Sequence, residues 1–112
     1  MALTRDFKQT VVARVQRDAA FRKELLREGV ENLIGGDMDT GKAILRDYIN
    51  ATIGFQELAE ATGLPAKSLM RMLGPSGNPN ARNLFEIVST LRDREHVRFS
   101  LKALGASAGQ RG

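Results

Sequence analysis

The chain has 112 residues, 42% of them hydrophobic and 27% charged, a balance that supports one modest core and excludes a disordered chain. It contains no cysteine, which excludes disulfides and thiolate metal sites and gives no sign of secretion. The formal net charge is +4, a weak pointer by itself to an acidic partner such as nucleic acid.

No apolar run approaches the roughly 20 residues that a membrane span needs. The opening MALTRDFKQT lacks the apolar centre of a signal peptide, so a cytoplasmic location is expected. The charge is unevenly spread. Residues 1–53 are nearly balanced, 54–63 carry only Glu57 and Glu60, and 64–83 carry Lys67, Arg71 and Arg82 with no acid. The positive excess therefore starts in the middle of the chain and continues beyond it.

Residues 4–17 carry Phe7, Val11, Val12 and Val15 at helical spacing, with Arg5, Lys8, Arg14 and Arg17 on the other face. The valines lower helix propensity, so packing must hold this segment. Asp18 suits the N-cap of a second helix whose apolar stripe is Phe21, Leu25, Val30, Leu33 and Ile34, ended by Gly35 and Gly36. Asp39 or Thr40 starts a third helix, with Ile44, Leu45, Tyr48, Ile49 and Ile53 inward and Gly54 at its close. These helices, over 4–53, belong to the core and offer a partner surface.

Gly36 to Ala43, GDMDTGKA, matches most of the P-loop pattern GxxxxGK[ST]. The final hydroxyl is replaced by Ala43, Asp37 and Asp39 would put negative charge into a phosphate cradle, and helix precedes it where a strand is required. A helix C-cap, a short loop and a helix N-cap explain the stretch better.

Residues 55–73, FQELAEATGLPAKSLMRML, carry the strongest signal. Leu58, Ala59 and Thr62 share one face of a short helix. Gly63 provides a turn where positive φ comes easily. Pro65 fits the first turn of a second helix, whose Leu69, Met72 and Leu73 are spaced as a buried stripe. Lys67, Ser68, Met70 and Arg71 are left facing solvent, the form a DNA recognition helix takes. Arg71 can pair with guanine in bidentate fashion, Lys67 can reach guanine or phosphate, Ser68 suits phosphate oxygens, and Met70 could touch a thymine methyl or fill the core.

The loop GPSGNPN follows, and Asn80 is placed to cap a further helix with Leu84, Ile87, Val88 and Leu91 inward. Asn80 and Arg82 open that helix, whose N–H groups favour a phosphate. Residues 96–102 alternate apolar and polar, with Val97, Phe99 and Leu101 on one face. They read as a short strand, and a lone strand needs a partner, such as its own copy in a second subunit. Residues 105–112 read as a flexible tail.

From about Phe21 onward the chain resembles the antidote (antitoxin) proteins of bacterial addiction modules, a branch of the phage-repressor-type helix-turn-helix regulators. The resemblance rests on Glu57-Leu58-Ala59, Gly63-Leu64, Lys67-Ser68-Leu69, Met72-Leu73, Gly77-Asn78-Pro79 and Asn83-Leu84, with 45–50 similar to that family's approach to the motif. It implies a mainly α, five- to six-helix repressor-like domain over 1–104 with a short C-terminal β-strand paired across a homodimer. It also implies binding to a near-palindromic double-stranded operator, repression of its own operon and pairing with a toxin. Many repressors of the wider superfamily place Gln three residues before the Leu at position 58, on a phosphate. Phe55 stands there in this chain, and Gln56 beside it is the candidate contact. A protein-interaction module that neutralises a toxin, or a stand-alone prophage-type regulator, is the competing reading.

An enzyme is not expected. His96 is the single histidine, and no GxSxG, HExxH or paired-carboxylate motif accompanies it. Asp37 and Asp39 are spaced as loop caps rather than as an EF-hand, and neither a cofactor nor a metal is expected.

Overall fold

A computed structural model of the chain describes residues 5–105, with side chains from Thr10 onward. Six helices follow one another: α1 Arg5–Arg17, α2 Ala19–Ile34, α3 Met38–Ala51, α4 Gly54–Thr62, α5 Ala66–Met72 and α6 Ala81–Glu95. The expected inward faces of Phe7 and outward faces of Arg5 and Lys8 lie outside the described side chains, as 106–112 of the expected tail lie outside the described residues. No helix among the described residues is long and apolar enough to cross a membrane, and no cluster of potential metal ligands occurs among them.

The caps explain most of the boundaries. The Asp18 carboxylate accepts from the Phe21 N–H at 3.0 Å and opens α2. That hydrogen bond holds the Asp18 carboxyl below its usual range, with the neighbouring Arg14 guanidinium acting in the same direction. The third helix begins earlier than either Asp39 or Thr40 suggests, because Asp37 is the cap and accepts from Thr40 N–H at 3.1 Å. Residues 36–41 are thus helix end, turn and helix start, as the rejection of a phosphate loop requires. Gly54 belongs to the head of α4 rather than to the close of α3, which ends at Ala51. Asn80 accepts from Asn83 N–H at 2.8 Å and opens α6 as expected.

One core joins five helices. Leu26, Leu45, Tyr48, Ile49, Phe55, Leu58, Leu69, Leu73, Ile87 and Leu91 are buried together. Of the expected α2 stripe, Leu25, Val30 and Leu33 pack against the core. Leu26 and Gly29 are its fully buried residues, whereas Ile34 is 64% exposed. Glycines set the point of closest approach. A Cβ on Gly41 would stand 2.5 Å from Leu33 Cδ2, and one on Gly29 would stand 3.1 Å from Ile44 Cγ2. Helices α2 and α3 therefore approach closely where side chains are missing.

A polar knot lies at the edge of this core. Glu95, only 6% exposed, accepts from Arg22 Nε at 2.8 Å on both oxygens and from the Tyr48 hydroxyl. Arg22 also donates to the Val15 carbonyl at 3.0 Å. The knot ties α1, α2, α3 and α6 with every charged member partnered, the condition under which burying charge is tolerable. Burial, and next the Glu95 carboxylate, push the Tyr48 phenol far above its ordinary value.

The end of the chain departs from expectation. His96 does not begin a strand. It ends α6 in the left-handed conformation at φ 58°, and its N–H and that of Val97 close back on the carbonyls of Asp93 and Arg92. Val97 packs against the core instead of sharing an outward edge with Phe99 and Leu101. Residues 97–105 are irregular, and among the described residues no hydrogen bond ties the backbone of 98–105 to another element. A single chain has no neighbour that could satisfy a strand here.

Candidate nucleic-acid interface

Helices α4 and α5 form a helix–turn–helix pair whose geometry follows from a few residues. Phe55 and Leu58 bury one side of α4, and Ala59 packs beside them. Gly63 ends α4 in the left-handed region at φ 79°, where a side chain would be strained. The Thr62 hydroxyl accepts from Leu64 N–H at 3.2 Å and donates to the Leu58 carbonyl at 2.8 Å, which fixes the turn. Pro65 stands just before α5 rather than within its first turn. Its extended ψ of 141° redirects the chain, and its carbonyl accepts from Leu69 N–H at 3.0 Å.

Leu69 and Leu73 are fully buried and Met72 partly so. That choice of inner face decides everything outside it. With about 100° per residue, Lys67 and Arg71 fall together on the face opposite the leucines, while Ser68 and Met70 flank it. Lys67 and Arg71 are accordingly exposed, Met70 is 48% exposed, and Ser68 is half-buried. The Arg71 guanidinium reaches the Ser68 hydroxyl only at 3.5 Å. Gln56 is exposed on α4, and Phe55 beside it is buried and serves the core. Arg82 is exposed on the first turn of α6, and the side chain of Asn80 is occupied in capping that helix.

The electrostatic setting separates these cations from the five arginines that are paired. Arg14, Arg22, Arg27, Arg92 and Arg94 each pair with a carboxylate. Glu57, the acid nearest the start of α4, is taken by Arg94 of α6. Between Glu60 and Glu86 the sequence has no acid, and among the described residues Lys67, Arg71 and Arg82 have no ion-pair partner. The face that Lys67 and Arg71 share on α5 is therefore uncompensated, as is the exposed Arg82 at the start of α6.

Three residues of the region take a part that the sequence reading did not assign to them. Lys42 of α3, only 4% exposed, donates to the Gly74 carbonyl at 3.1 Å and to the Gly77 carbonyl at 2.6 Å. Arg46, one turn on, donates to the Leu73 carbonyl at 2.6 Å. Gly77 folds against the end of α5 so closely that a Cβ there would stand 2.0 Å from the Arg71 carbonyl oxygen. A signal for Lys42 was present: it precedes Leu45 by three and Ile49 by seven, so it continues a buried stripe with an ionisable residue.

Compared with known protein families, curated proteins and solved structures, the chain matches none.

Proposed function

We propose that the chain is a sequence-specific double-stranded DNA-binding regulator. Helix α5 enters the major groove as the recognition helix, Arg71 and Lys67 reach base edges, and Ser68, Gln56, Asn80 and Arg82 hold phosphates. The observation that carries this reading is the exposed pair Lys67 and Arg71 on the α5 face opposite two buried leucines, with no acid in the sequence between Glu60 and Glu86. A cationic face that the protein leaves without its own acids is suited to a polyanion.

One copy supplies few cations, so two acting together would read a near-palindromic site with half-sites about 34–36 Å apart. The segment 98–102, with Phe99 and Leu101 outward and its backbone unpaired among the described residues, supplies an edge that could pair with the same edge of a second copy. The resemblance from about Phe21 onward favours the antidote of a toxin–antitoxin pair that represses its own operon. A toxin-like reading frame beside the gene would support that role, and a solitary gene would favour a stand-alone prophage-type regulator.

The test is a footprint on the chain's own promoter. Arg71→Ala is expected to lower discrimination between operator and unrelated DNA by about 10- to 100-fold, the worth of one bidentate base contact, with an unchanged melting curve. An unchanged footprint from a folded Arg71→Ala protein would remove Arg71 from the reading.

A further inference from the structure

The stretch Gly36–Lys42, set aside above as a phosphate loop, ends in a buried ammonium group that the DNA-binding reading leaves without a role. Lysine is seldom buried to this degree, and a buried ammonium is costly unless its donors are satisfied. Among the described residues no carboxylate pairs with Lys42. Its acceptors are instead the carbonyls of Gly74 and Gly77, just beyond α5. Arg46 takes the Leu73 carbonyl on the same side. These two cations, four residues apart on α3, meet the negative end of the α5 dipole and the carbonyls of the C-cap and the loop just beyond it.

Helix α5 has seven residues, too few to be stable or firmly oriented alone. Leu69 and Leu73, with Ala66 and Met72 partly buried beside them, anchor one side of it, and so short an anchor leaves the far end of the helix free to shift. The clamp acts at the end where that freedom would appear. Gly77 belongs to the same device, since its lack of a side chain lets the loop carbonyl lie against α5 and reach Lys42.

We propose that Lys42 and Arg46 are positioning residues for DNA recognition: by holding the carbonyls of Leu73, Gly74 and Gly77 they fix the pose in which α5 presents Lys67 and Arg71. This rests on the DNA-binding reading. The clamp itself does not touch DNA, because the Lys42 ammonium is buried and committed to the loop.

The experiment compares the full-length chain with Lys42→Met and Arg46→Met. Two duplexes serve as probes, one from upstream of its own gene and a scrambled duplex of the same length. Amide hydrogen exchange is followed in parallel. Each variant is expected to keep its helix content, to lose protection at 69–77 by about tenfold or more while α2 and α3 stay protected, and to bind the promoter duplex about 10- to 100-fold more weakly. Binding to the scrambled duplex and the salt dependence are expected to stay unchanged. A structural loss alone would weaken both duplexes together. If both fall and the salt slope drops by about one, the cation touches phosphate and the proposal is overturned. Unchanged protection at 69–77 overturns the clamp directly. Should Lys42→Met unfold, Arg46→Met, whose side chain is partly exposed, carries the same readouts. Failure of the unaltered chain to bind either duplex would sink the DNA reading, whereas the exchange pattern would still decide whether the clamp exists.

Discussion

Helices α2 and α3 meet over glycines and share a long apolar contact, whereas the seven-residue α5 rests on Leu69 and Leu73, with Ala66 and Met72 beside them, and on hydrogen bonds that α3 makes to the loop at its end. In the first region the contact is distributed. Leu26, Leu45 and Ile49 lie fully buried around the close approach at Gly29 and Gly41. In the second, orientation depends on a few polar contacts to carbonyls at 73, 74 and 77. Burial is non-directional, so it secures a body, while hydrogen bonds have direction and suit the setting of a pose. The cationic face sits on the element held by the more specific and fewer contacts.

The largest effect should come from the body. Leu45→Ala removes a fully buried side chain at the α2–α3 contact and should lower unfolding free energy by about 2–5 kcal/mol. Urea denaturation measures it. A loss under about 1 kcal/mol would mean that this contact does not carry the stability that the comparison assigns to it.

The polar knot at the body's edge should fail at high pH. The Tyr48 phenol is held protonated in the fold by burial and by the Glu95 carboxylate, and the unfolded phenol titrates near 10. Its folded-state pKa is raised, so the stabilisation is complete below pH 10 and declines above it, by about 1.4 kcal/mol per pH unit until the folded group itself ionises. Tyr48 is the single tyrosine and the chain has no tryptophan, so its ionisation absorbance reports one site. That absorbance should rise together with the loss of helical circular dichroism, and Tyr48→Phe should remove this absorbance change. Ionisation of Tyr48 near pH 10 with full helix content retained would contradict the burial argument.

A smaller and local effect is expected in the second region. Gly77→Ala places a Cβ against the Arg71 and Met72 carbonyls and should cost about 1–3 kcal/mol as the loop yields. Faster amide exchange should be confined to α5 and 73–77, with α2 and α3 unchanged. Equal loosening of both regions would erase the distinction between them.

The sequence made the helices and most of the caps legible, because Asp18, Asn80, Gly63 and the apolar periodicities act locally. It misplaced what depends on contact between distant segments. Ile34 looks apolar enough to be buried, yet it stays exposed while Gly29 and Gly41 set where α2 and α3 meet most closely. Phe55 reads as a departure from a DNA-contacting pattern, and the fold uses it as core. Lys42 reads as part of a failed phosphate loop, and its carbonyl acceptors lie more than thirty residues away. Glu95 continues the stripe of Ile87 and Leu91 at intervals of four, which marks a buried acid, though its partners Arg22 and Tyr48 follow only from the fold. The alternation at 96–102 suggested a strand, but strand formation requires a second edge. Within the chain the turn at His96 draws Val97 into the core. The exposed character of Lys67 and Arg71 was legible in full, since it follows from the spacing of Leu69 and Leu73.

DNA binding by the uncompensated cations Lys67, Arg71 and Arg82, as proposed, is read out by titrating salt against the affinity of the full-length chain for its own promoter duplex. With Lys67, Arg71 and Arg82 contributed by each of two copies, log K is expected to fall against log salt with a slope of about −5, at roughly 0.9 per neutralised phosphate. Affinity that does not change with salt, or the absence of binding to any promoter fragment at low salt, would contradict it.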